Sequence, residues 1–156
     1  MSKILHYLPA EGYTPAFGRT SQENLDSCCS EIQTIAKQII EWGYDISVTQ
    51  GHRAKAEQDK EFACGNSHLC WPKSYHNQQP SQAFDLAPYF STKDPRNKKP
   101  GIPWDANFHE DFLRPWFVLH GLIMAACKIH GIELYWGGWW KGLKDYPHYQ
   151  TGKISV

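Results

Sequence analysis

The sequence predicts an α+β fold: one compact domain with a small, mainly antiparallel sheet flanked by helices. Three observations predict it. Apolar residues recur at helical spacing after residue 20 and again after residue 115. Segments 44–49 and 82–89 alternate with the two-residue period of a strand. Helical and strand-like segments are interspersed, with no internal repeat, low-complexity tract or long linker between them. At 156 residues the chain is close to one ordinary domain and long enough for a real core. We therefore read 1–156 as a single domain with its core at about 20–150.

Thr20-Ser21-Gln22-Glu23 fits a capping box, followed by Leu25, Cys28, Ile32, Ile35 and Ile39 on one helical face. That helix is expected to run to about Trp42 and stop at Gly43. Tyr44 to Thr49 alternates like a strand, and Gly51 ends it. Ala54 to Cys64 has the look of an exposed helix, with Glu57, Asp59, Lys60 and Glu61 along it. Asn66 to Pro80 is loop, and Gln82 to Tyr89 is the next strand. Within it Ala83, Asp85 and Ala87 share one face, Phe84 and Leu86 the other. Ser91 to Pro103 is polar and carries Pro95, Pro100 and Pro103, so it is a surface excursion. Pro115 suits the first turn of a helix reaching about His130, where Gly131 ends it. Glu133 to Trp136 is a short strand, and Trp136 to Gln150 closes the domain with turns and a final strand.

Composition removes several classes of function. Sixteen basic and sixteen acidic side chains balance, which takes away the broad electrostatic argument for nucleic acid or an anionic membrane. The longest apolar run, Trp116 to Cys127, is broken by His120 and is too short to cross a bilayer. The first residues, Met1 to Tyr13, have only a brief apolar touch and no small-residue cleavage site, so no signal peptide is expected. Five cysteines without any CxxC spacing are expected to be free thiols in a reducing cytoplasm. Seven Trp, eight Tyr and seven Phe suit either a groove for an extended ligand or a tightly packed small core.

Three stretches carry candidate chemistry: Gly51-His-Arg53, His76 to Asp85, and Asp145-Tyr-Pro-His148. A catalytic zinc commonly takes three protein ligands and leaves a position open. His76, Asp85 and His148 supply two nitrogens and one oxygen, an acceptable set. Asp145, three residues before His148, is placed to move protons at the same centre. Arg53 offers a guanidinium for a developing oxyanion or a substrate carboxylate. Taken singly, each has a plain alternative: a solvated His or Asp, a turn residue at Asp145, a surface ion pair at Arg53. No HExxH is present. His68 between Cys64 and Cys70 reads as surface loop rather than a second metal site.

Together the stretches resemble a known family. SQENL, SVTQGHR with the following EQ, WPKSYHNQQPSQAFDLAPY and LYWGGWWKGLKDYPHYQ occur in that order between about Ser21 and Gln150. Each is similar to a segment of the zinc peptidases that cut bacterial peptidoglycan peptides. That family includes D-alanyl-D-alanine carboxypeptidases and phage endolysins that are L-alanyl-D-glutamate endopeptidases. Asp145 in DYPH, where the carboxypeptidases tend to have Glu, favours the endolysin branch. Two departures stand out: a longer loop between His76 and Asp85 than in many relatives, and Trp139 where many have Asp.

The resemblance implies one zinc ion on His76, Asp85 and His148 in a surface cleft, with Asp145 as catalytic carboxylate and Arg53 facing substrate. It also implies a substrate-side position for Ser74, and Trp139 and Trp140, with Trp136, are expected to wall the cleft, with core packing accounting for at least one of the three. The expected function is zinc-dependent hydrolysis of the L-alanyl-D-glutamate bond of the stem peptide, for cell-wall lysis. The alternatives are a D-alanyl-D-alanine carboxypeptidase on the same scaffold and a non-catalytic wall-binding module. The expected setting is a monomer without a separate wall-binding domain. It would be held in the host cytoplasm until a holin-type permeabiliser releases it, with no nucleic acid partner and no membrane insertion.

Overall fold

The computed structural model describes residues 12–94, 97, 100–105 and 112–153. The reading of the first residues as lacking a leader falls largely outside them, as do His6, Pro95 and His109. Among the described residues, four α-helices, α1 (Arg19–Asp26), α2 (Ser30–Glu41), α3 (Lys55–Ala63) and α4 (Leu113–His130), surround four strands. The strands are β1 (Ile46–Gln50), β2 (Ala83–Pro88), β3 (Tyr135–Trp136) and β4 (His148–Gln150). They form one antiparallel sheet in the order β1-β2-β4-β3. The α+β reading holds.

Alternation on β2 sorts core from chemistry. Phe84 and Leu86 are fully buried and join Ile46, Val48 and Tyr149 in the core cluster. Ile32, Ile35 and Ile39 of α2 and Leu119 and Ile123 of α4 close over them. Burying an aliphatic side chain of this size stabilises by roughly 1.5–3 kcal/mol. On the register of β2 with β4, Phe84 lies opposite Tyr149 and Asp85 opposite His148. Directly paired residues share a face. The same two-residue period thus sends Tyr149 into the core and His148 to the side of Asp85.

The first helical segment differs from expectation. It is two helices, interrupted at 27–29, where Cys28 bridges to Ser81 and the Cys29 N–H donates to the Ser81 carbonyl at 2.9 Å. The Ser81 N–H returns a bond to the Ser27 carbonyl. A strand-like partner far along the chain has taken the backbone groups that a continuous helix needs. The expected capping box is also absent: Gly18 is the N-cap. Ser21 is buried instead, its Oγ accepting from the Val48 N–H at 3.1 Å and lying 3.2 Å from the Ser47 hydroxyl. It ties α1 to β1.

α3 is exposed along most of its length, but Gln58 is fully buried. α4 ends where expected, on Gly131 in the left-handed region (φ 64°), which a side chain rarely tolerates. No helix among the described residues is long and apolar enough to cross a membrane. Cys28, Cys29 and Cys127 are buried, Cys64 is exposed and Cys70 half-buried, all as free thiols.

Candidate active site

β1 leaves the sheet through Gly51, and the chain then runs beside a 3-10 turn at Tyr75–Asn77. A Cβ at Gly51 would sit 2.1 Å from the Asn24 carbonyl oxygen, so only glycine allows this close approach to α1. The Arg53 N–H donates to the His76 carbonyl at 2.8 Å, and the Asn77 amide donates to the Arg53 carbonyl at 3.0 Å. These bonds fix Arg53 and His76 relative to each other. His148 enters from β4, and Asp145 precedes it in a turn closed by the His148 N–H on the Asp145 carbonyl. The Asp145 N–H donates to the Gly137 carbonyl at 3.2 Å. A Cβ on Gly137 would meet that loop at 2.6 Å from the Asp145 oxygen, so the second glycine is a matter of space.

Three ligand atoms converge. His76 Nε2 lies 3.2 Å from His148 Nδ1 and 3.3 Å from Asp85 Oδ1, and His148 Nδ1 lies 3.2 Å from Asp85 Oδ1. These residues form a group able to hold a metal ion, found among the described residues. Each imidazole is oriented by its other nitrogen. His76 Nδ1 donates to the Gly51 carbonyl at 2.7 Å, leaving Nε2 with a lone pair. His148 Nε2 donates to Gln150 Oε1 at 2.9 Å, leaving Nδ1 with one. Gln150 is itself held in that orientation because its Nε2 donates to the Gly152 carbonyl.

With the rings held this way, three acceptors face one another at van der Waals range, an arrangement that requires a proton or a cation between them. Four tetrahedral ligands at about 2.0–2.1 Å from an ion stand about 3.3 Å apart. The observed triangle matches one face of such a tetrahedron. The donor set fits a divalent cation of zinc type, with the second nitrogens supported as metal-bound histidines usually are. His76 and His148 are almost fully buried, while Asp85 keeps 20 % of its side chain exposed.

The electrostatics follow from that packing. Burial alone would raise the Asp85 carboxyl, but His76 and His148 outweigh it and hold Asp85 far below the usual carboxylate range. Burial pushes His148 down, yet the adjoining Asp85 carboxylate more than compensates and leaves it above its ordinary value. Asp145 is raised, by burial first and by the Asp85 charge second, against the pull of His148, His76 and Arg53. Arg53 Nη2 lies 3.8 Å from Asp85 Oδ2, on the side away from the imidazoles' shared oxygen, and its buried Nε has no partner.

The sequence model of the phage L-alanyl-D-glutamate peptidase family matches residues 14–155, nearly the whole chain. The chain belongs to this family. It is 31 % identical over 132 residues to the L-alanyl-D-glutamate peptidase of Escherichia phage T5, covering 83 % of this chain and 85 % of that protein. It is also 31 % identical over 116 residues to the Bacillus subtilis peptidoglycan L-alanyl-D-glutamate endopeptidase CwlK, covering 68 % of this chain and 60 % of that protein. The crystal structure of the Serratia marcescens L-Ala D-Glu endopeptidase ChiX shares the fold, with a TM-score of 0.65 at 22 % identity. That superposition covers 88 % of this chain and 90 % of ChiX.

Within this family member, the other residues singled out in the sequence are distributed as follows. Ser74 is buried and caps the turn that carries His76, its Oγ accepting from the His76 N–H at 3.3 Å. Trp140 lies with its ring centroid 5.0 Å from that of His148. Trp139 is 68 % exposed. Trp136 is 3 % exposed and packs in the core, donating to the Tyr146 carbonyl at 2.7 Å, and it also lines a pocket together with Trp139 and Trp140. His68, Cys64 and Cys70 are absent from the metal-capable group found among the described residues.

Sequence reasoning missed Gln58 and Gln150. Gln58 Oε1 accepts from Arg53 Nη1 at 3.3 Å and from Asn77 Nδ2 at 3.2 Å, while its Nε2 donates to Ser67 and Leu69. It braces Arg53 against the loop after α3. The signal for Gln150 was available in its two-residue spacing from His148 on a strand; a polar residue inside a polar helix gave no such signal for Gln58.

Because His148 is held above its ordinary value without metal, it carries a proton at pH values where a free imidazole has lost it. A ligating Nδ1 must be unprotonated, so metal uptake near neutral pH releases a proton. Affinity is expected to rise as pH increases through and above the ordinary imidazole range, about 6.5 for an unperturbed ring, flattening once the ring is neutral. Calorimetric titration in two buffers of different ionisation enthalpy measures the release. Affinity that stays flat across that range would contradict it.

Proposed function

We propose that this chain is a zinc-dependent peptidoglycan endopeptidase that hydrolyses the L-alanyl-D-glutamate bond of the stem peptide. The observation that carries the reading is the triangle of His76 Nε2, Asp85 Oδ1 and His148 Nδ1, with edges of 3.2–3.3 Å, in a member of this peptidase family. The named activities of the phage T5 and Bacillus relatives support the choice of bond.

His76, Asp85 and His148 hold the zinc, which when bound acts as a Lewis acid and brings the pKa of water to about 7. Asp145 accepts the proton of the attacking water and returns it to the departing nitrogen of D-glutamate. Burial, which by itself raises the proton affinity of Asp145, suits a group that must both take and give a proton. Arg53, kept from full engagement with Asp85 by a 3.8 Å gap, offers N–H donors to the anionic oxygen or to a substrate carboxylate. Ser74 sets the position of His76, and Trp139 and Trp140 contact substrate.

The same proposal takes the chain as one peptidase domain acting as a monomer on the wall. It would remain in the host cytoplasm until a holin-type permeabiliser opens the membrane. Digesting purified muropeptides and weighing the products tests the bond. A cut that frees the peptide after L-alanine is expected. Loss of only the terminal D-alanine would instead establish the carboxypeptidase reading.

A further inference from the structure

The sheet arranges the chemistry from one edge to the other. Arg53 follows β1 at one edge, Asp85 lies on β2 and His148 on β4. Beyond them, at the β3 edge, is a pocket of about 360 Å³ lined by Tyr135, Trp136, Trp139, Trp140, His120 and Lys153, among others. Trp140 is common to both places, since its ring also lies against His148.

The pocket has a defined shape. The His120 ring lies flat on Trp136, with centroids 3.8 Å apart and planes 16° apart. The exposed Trp139 ring stands upright beside both, at 90° to Trp136 and 76° to His120. His120 Nδ1 is engaged by the Tyr149 hydroxyl at 3.3 Å, which leaves Nε2 for a ligand. The Lys153 ammonium stands 5.8 Å above the Tyr135 ring. An upright indole meeting a flat stacked pair, with one ring nitrogen and one ammonium at the rim, suits a neutral ring with an apolar face and carbonyl substituents.

We propose that this pocket is a subsite for the N-acetylated amino sugar to which the first alanine of the stem peptide is attached. The inference rests on the chain being a stem-peptide hydrolase. In that substrate the scissile bond has very different chemistry on its two sides. The sugar lies one alanine and one lactyl link away on the acyl side, about 7 Å in extended form. The glutamate carboxylate lies immediately on the other side. Neighbouring strands are about 4.8 Å apart, so this span carries the chain from His148 to the β3 edge. Both edges carry a cation, and their settings set the direction. Arg53 stands 3.8 Å from Asp85 with its buried Nε unpartnered and suits the carboxylate beside the scissile bond. The other edge offers mainly aromatic faces, its Lys153 ammonium standing over Tyr135, and suits the uncharged sugar face.

The test compares two zinc-loaded reactions: a muramoyl-bearing stem peptide, and the same peptide with its alanine amine simply acetylated. The wild-type protein is expected to favour the muramoyl substrate by about tenfold in kcat/KM, the worth of one good aromatic contact. Trp139→Ala, at an exposed position, and Met124→Arg, on the helical wall of the pocket, are both expected to bring that ratio close to one. In metal-free protein, N-acetylmuramoyl-alanine amide, whose lactyl group is amide-bonded as in the stem peptide, is expected to change tryptophan fluorescence saturably, and to lose that effect in Trp139→Ala. A wild-type ratio near one, or a ratio that survives both variants, would overturn the subsite. Failure to cut either substrate would sink the hydrolase reading instead, and the metal-free sugar titration would then decide the subsite by itself.

Discussion

Asp145→Ala is expected to lower turnover on muropeptide by about 10²–10⁴-fold, the usual contribution of a positioned proton carrier. Folding and metal binding are expected to persist. Asp145 stands outside the three-atom ligand group, and its carboxyl is raised partly by the charge of Asp85. Removing it therefore takes away an electrostatic repulsion without opening the triangle. The backbone bonds that shape its turn run through its N–H and carbonyl, which Ala retains. Product formation by mass, alongside a zinc titration of the same variant, separates the two effects. A variant that cleaves at nearly the parental rate would remove Asp145 from the proton path. One that no longer binds zinc would make it a ligand.

Metal removal is expected to have a comparably large effect, on stability as well as on activity. Without a cation, three acceptor atoms face one another within 3.3 Å in a buried setting, which costs free energy unless a proton enters. Zinc at about a thousand times its dissociation constant stabilises the folded state by about 4 kcal/mol. In a domain of this size that is a rise in Tm of about 10 °C. Treatment with excess chelator is expected to abolish cleavage and lower Tm, and added zinc to restore both. His76→Ala is expected to keep the low Tm whether or not zinc is present. Undiminished lysis in excess chelator would contradict the assignment.

Much of this site was legible because the chemistry sits on regular elements or beside glycines. Alternation on β2 placed Asp85 opposite the core face of Phe84 and Leu86, and the sheet then pairs Asp85 with His148. Gly131 ended α4 where its φ demanded it. What the sequence hid depends on distant partners. Cys28 and Cys29 continue the helical period of α1 and α2, and only their bonds to Ser81 break the helix. Ser21 resembles a cap in its local setting, but the backbone of β1 claims it. Gln58 lies among charged helix residues, and its burial is visible only once Arg53 and Asn77 are beside it. Trp136 belongs to a WGGWW run that suggested a wall of rings, and the fold makes it both a core residue and part of a pocket lining with Trp139 and Trp140.

X-ray absorption at the zinc edge, on metal-free protein reloaded with one equivalent, tests most directly whether one cation joins β2, β4 and the 3-10 turn at Tyr75–Asn77. The account predicts one tightly held zinc per chain, surrounded only by nitrogen and oxygen at about 2.0–2.2 Å, with scattering from two imidazoles. His76→Ala and His148→Ala would each remove one imidazole from that signature. A shell containing sulfur, or two imidazoles that persist in both variants, would place the ion elsewhere and contradict the account.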